Sequence, residues 1–121
     1  MLVRLACGIA LAVSVLLPHV ARADCAQEIS KLMSRDAEKL TTRYNRVVKR
    51  IETQGASPSL VAEECRIARA LQPMLVEQIA ALRQSGCNKD PQVGAMVADI
   101  VRGHEDDLAM LRKTVAKPAC R

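Results

Sequence analysis

The thiols and imidazoles of this chain are few: Cys7, Cys25, Cys65, Cys87 and Cys120, with His19 and His104. The cysteine spacings contain no CxxC pair and no CxxCH haem signature, and one histidine outside the first 23 residues cannot build a multi-histidine zinc site. A redox role would need an activated thiolate, ordinarily in a close cysteine pair, and that spacing is absent. The reading that remains for Cys25, Cys65, Cys87 and Cys120 is structural: two disulfides in an exported domain.

Other candidate chemistry is sparse. The lone aromatic residue is Tyr44, so there is no stacking platform for nucleic-acid bases or flat cofactors. His104 has Asp107 three residues on, close enough on a helix to orient the ring. No nucleophile motif accompanies it, so no enzyme activity and no cofactor is indicated. Its plainest role is a buried histidine bonded to the Arg69 carbonyl that Pro73 sets free. The sharper one is a soft metal site with Met33 or Met74, since imidazole and thioether suit copper.

The most distinct surface feature is basic. Lys31, Arg35, Lys39, Arg43, Arg46, Lys49 and Arg50 fall within a sector of about 120° when projected at about 100° per residue. From Lys39 to Arg50 there are five basic residues and no acid. Like charges four apart repel by a few tenths of a kcal/mol per pair, which is not the arrangement that best stabilises a helix. Two readings follow: an anion-binding strip of Lys39, Arg43, Arg46, Lys49 and Arg50, or a solvated face neutralised by acids such as Asp107.

These residues need a scaffold, and the chain supplies one after an export segment. Arg4, an apolar or small run from Leu5 to Leu17 and the Ala21-Arg22-Ala23 tripeptide predict a cleavable signal peptide over 1–23. The run is 13 residues, short of the roughly 20 needed to span a bilayer. Cleavage would remove Cys7, Arg4 and Arg22. The remaining 24–121 would be one domain with 16 basic and 13 acidic side chains, net +3. The precursor pI of 9.2 therefore owes part of its value to the leader, and nucleic acid is not indicated as a partner.

Three helical periods are legible. The first runs from about Cys25 to Thr53, through Ile29, Leu32, Leu40, Tyr44, Val47 and Ile51, and ends at Gly55. Ser57 caps the second with Pro58 as its first residue, and Ser85-Gly86 stops it. Asp90 and Pro91 open the third, which carries Val97, His104, Leu108 and Leu111. Gly94 and Ala98 in it form a small-residue step assigned to close packing.

The pattern predicts an all-α, up-down-up three-helix bundle with two disulfides. Pro73 either kinks the middle helix or splits it to give four helices. Helix rise then selects the pairing. Cys65 sits about 10 Å from the first turn and Cys87 about 40 Å from it, so Cys25 pairs with Cys87 and Cys65 with Cys120.

The expected protein is a small periplasmic or secreted, non-catalytic binding module. Its contact would be an unidentified protein, an anionic envelope component or a membrane surface, through the basic face. The alternative is a small-ligand or copper carrier centred on His104. Oligomeric state is not readable from the residues.

Overall fold

The structure, a computed structural model, describes residues 25–121. The expected signal peptide, its cleavage point and Cys7 lie outside the described residues. The chain is all-helical there, with no strand among the described residues. Helix α1 covers 25–32, α2 Arg35–Gln54, α3 Pro58–Gln84 and α4 Gly94–Ala116, with 3-10 turns over Cys87–Lys89 and Pro118–Cys120. Helices α2, α3 and α4 run up, down and up. Helix α3 is central, packing on both of the others.

The fourth helix does not come from Pro73. Helix α3 continues through that residue, which lies with Arg69 on the exposed side, where water can satisfy the carbonyl that proline leaves without a donor. The break falls instead in the first helical segment, at Met33-Ser34. Projected at about 100° per residue, the apolar stripe of Cys25, Ile29 and Leu32 is rotated by about 70° from that of Ala37, Leu40, Tyr44 and Val47. One straight helix cannot turn both stripes to the core.

The caps make the break affordable. Ser34 Oγ accepts from the Ala37 N–H at 3.3 Å, and Asp36 and Glu38 occupy the first turn of α2, where the helix dipole favours negative charge. Gln78, a buried amide of α3, donates from Nε2 to the Leu32 carbonyl at 3.2 Å, closing α1 from the other side.

Two apolar clusters result. Tyr44, Val47, Leu60, Ile67, Leu71 and Leu111 belong to the larger, between α2, α3 and α4. Ile29, Leu82, Cys87 and Val97 form the second, which seats α1 against the end of α3 and the start of α4.

The disulfides clamp opposite ends of the bundle. Cys25 pairs with Cys87 at a Cα separation of 5.6 Å, and Cys65 with Cys120 at 5.4 Å. They close loops with sequence separations of 62 and 55, worth about 4 kcal/mol each on the chain-entropy account.

Turn chemistry follows the residues. Gly55 and Gly86 take positive φ of 89° and 72°, conformations that cost glycine little. Ser57 caps α3 through the Leu60 N–H at 3.3 Å. Asp90 Oδ1 accepts from Gln92 and Val93 N–H, so it caps as expected, although regular α-helix begins only at Gly94. The close approach at Gly94 is to a turn and not to a helix. A Cβ there would lie 2.5 Å from the Asn88 carbonyl oxygen, while Ala98 is exposed.

Candidate functional site

Helix α2 turns its apolar stripe to α3 and α4, which leaves its back to solvent. Lys39, Arg43, Arg46, Lys49 and Arg50 are all exposed on that side. Arg35, Lys39, Arg43 and Arg46 line a shallow groove of about 530 Å³, with Thr42 and Glu38 on its edge. The break removes Lys31 from this face by placing it on α1.

Neutralisation is slight, and it does not come from α4. Arg43 Nη2 lies 2.8 Å from Glu63 Oε1 of α3, with Nε of the same guanidinium 2.9 Å away. Arg66 approaches that carboxylate at 3.9 Å. Among the described residues Lys39, Arg46, Lys49 and Arg50 have no ion pair, and neither does Asp107. The other α4 acids that are paired meet Arg102 and Arg83 instead. A half-exposed pair such as Arg43–Glu63 contributes about 0.2–1 kcal/mol, so most of the strip's positive charge is open to a partner.

A second feature lies on the other side of α2. Two cavities between α2 and α4, of about 240 and 80 Å³, share Thr41, Leu75 and Asp107 as lining. They make one cleft floored by α3, with its lower end near the hydrogen bond from Tyr44 to Thr114. His104, Gln78 and Met33 line the upper part.

His104 does not find the Arg69 carbonyl. Its Nε2 is buried and has no hydrogen-bond partner, while Arg69 and Pro73 lie on the exposed side of α3. A buried polar atom left unpaired costs about 1–3 kcal/mol. Burial holds the imidazole pKa below its ordinary 6.5, and the nearby Asp107 carboxylate opposes that shift only partly. The ring is therefore neutral at neutral pH.

For metal chemistry, no cluster of three or more His, Cys, Asp or Glu side chains occurs among the described residues. Of the two thioethers considered beside His104, the structure brings Met33 to its cavity, while Met74 is half-buried elsewhere on α3.

Sequence reasoning thus named the basic strip, His104 and the cysteine pairs. It missed the cleft and the role of Gln78, whose burial depends on the α1–α2 break. Ser34 followed by Asp36 and Glu38 is a helix-start signal that would have found it.

Two disulfides are what a domain maturing in an oxidising compartment carries. No described helix is long and apolar enough to cross a membrane. Comparison with protein-family models, with characterised proteins and with solved structures finds no match to this chain.

Proposed function

We propose that this protein is an exported, non-catalytic binding module of the cell envelope that contacts an anionic partner through the back of α2. The observation that carries the reading is the set Lys39, Arg46, Lys49 and Arg50: exposed, mutually repelling and without a carboxylate partner among the described residues. Charge arranged against the helix's own stability is best accounted for by what it attracts. Periplasmic or secreted residence, with cleavage after Ala23, fits the leader-like residues 1–23 and the two disulfides. A non-catalytic role is supported by the fact that the tyrosine hydroxyl is engaged in packing α2 onto α4.

Co-sedimentation with phosphatidylglycerol vesicles tests it. Binding should be strong at low salt, weak on phosphatidylcholine vesicles, and lost on Lys39→Glu, Arg46→Glu and Arg50→Glu together. These three positions are chosen because reversing Arg43 would also break its pair with Glu63. Binding that survives the triple reversal removes the reading.

A further inference from the structure

We propose that the cleft between α2 and α4 binds a free primary aliphatic amine in its ammonium form. This is independent of the anion-binding reading and uses none of the basic strip.

The two cavities that make the cleft, of about 240 and 80 Å³, are lined by no lysine or arginine among the described residues. In a chain whose basic side chains outnumber its acidic ones, that is a local reversal. Carboxylates stand on both walls instead, Glu38 on α2 and Asp107 on α4. Neither has an ion pair among the described residues, although Glu38 also edges the basic groove.

Gln78 and Thr41 add neutral acceptors. Gln78 is buried, at 6% exposure, and its Nε2 donates to the Leu32 carbonyl at 3.2 Å, which fixes Oε1 as the free end of the amide. Among the described residues the side-chain atom that is both closed off and unpaired is His104 Nε2, so Gln78 Oε1 is open to the cavity that its side chain lines. The Thr41 hydroxyl spends its proton on the Ala37 carbonyl at 2.8 Å. It can meet a ligand only as an acceptor.

An ammonium group carries three N–H donors and no acceptor, which complements two carboxylates, an amide oxygen and a hydroxyl lone pair. Leu75 on the floor and Ala37 on the α2 wall offer apolar surface to a methylene stem. A hard metal ion fits worse, since it takes about six or more oxygen ligands and no cluster of three or more His, Cys, Asp or Glu occurs among the described residues. Binding makes and breaks no covalent bond.

The test is an NMR titration of the disulfide-intact protein with n-pentylammonium chloride near neutral pH. The Gln78 side-chain amide and the Thr41 and Leu75 backbone amides should shift saturably, as for a single site. Neither n-pentanol, which keeps the stem, nor tetramethylammonium, which keeps the charge without N–H donors, should reproduce the shifts. Glu38→Gln and Asp107→Asn should each weaken binding about 5-fold; both positions are exposed, so the variants should fold. Asp106→Asn, the exposed neighbour on α4 that does not line the cleft, should change nothing. No saturable shift, equal binding of either control compound, full affinity in either carboxylate variant or an equal loss in Asp106→Asn overturns the assignment. Tighter binding of Nα-acetyl-lysine amide than of n-pentylammonium would overturn a free amine in favour of a protein lysine side chain. None of these results bears on vesicle binding.

Discussion

The Tyr44 hydroxyl lies 3.1 Å from Thr114 Oγ1, joining α2 to α4 across the face of α3. Thr114 Oγ1 also donates to the Met110 carbonyl at 3.2 Å. Its single proton is used there, so Tyr44 is the donor to Thr114. Burial raises the phenol pKa, more than the Thr114 bond lowers it, which keeps that donor protonated. The two ends of the bond are therefore unequal. Tyr44→Phe leaves Thr114 with its carbonyl partner and should cost about 0.5–1.5 kcal/mol. Thr114→Val strands a buried hydroxyl and should cost about 1–3 kcal/mol. The double variant should be less destabilised than the sum of the two, and urea melts of all four proteins would measure the coupling. Strict additivity would mean that the bond does not form in solution.

The α1–α2 break makes a second, local expectation. Ser34→Ala removes the α2 cap and should lower stability by about 1 kcal/mol. Gln78→Leu removes the donor to Leu32 and should raise hydrogen exchange in α1 selectively. If the first segment were one straight helix, Ser34→Ala would be neutral or stabilising, because alanine favours a helix interior.

That break shows where sequence reading reached and where it stopped. Gly55, Ser57-Pro58 and Gly86 announce their turns because each supplies a backbone geometry or a cap that few other residues can. The disulfide pairs followed because helix rise makes the alternatives too long. Met33-Ser34 does not announce a turn, because apolar residues recur at steps of three and four on both sides of it. Only the rotation between the two stripes, read together with Ser34, Asp36 and Glu38, betrays it. The His104 partner was misplaced for a related reason: axial height alone says nothing of which side of α3 Pro73 and Arg69 occupy. Exposure of the basic strip was not legible either, since whether α4 acids reach it depends on which side of α2 is turned toward α4.

His104 gives the fold a pH dependence with a definite sign. Its folded pKa lies below the ordinary 6.5 because burial disfavours the imidazolium, and Asp107 on its own helix offsets this only in part. Glu38 of α2 lines the same cavity, while α3 contributes the neutral Gln78. Between the folded and ordinary values the unfolded chain binds more protons than the native one. Stability is thus fully present above about pH 7 and declines as pH falls through 6.5 toward the folded value. His104→Leu should abolish that slope. It should also raise stability at pH 7, by about 1–2 kcal/mol, since it removes an unpaired buried nitrogen. Thermal melts from pH 5 to 8 would show both effects, and a wild-type slope retained in His104→Leu would assign the titration elsewhere.

The strip on α2 should oppose folding and favour binding at once. Arg46 and Arg50 are four residues apart, both exposed, and neither has an ion pair among the described residues. Replacing both by Gln removes like-charge repulsion without removing a good helix former, so low-salt stability should rise by about 0.2–0.5 kcal/mol. At 1 M salt, where screening acts over about 3 Å, the gain should vanish. Affinity for phosphatidylglycerol vesicles should fall in the same variant. Opposite movement of stability and binding is what a retained binding strip requires. A solvated face with no partner predicts the stability gain alone, and a variant that loses stability at low salt would show that these arginines serve the fold.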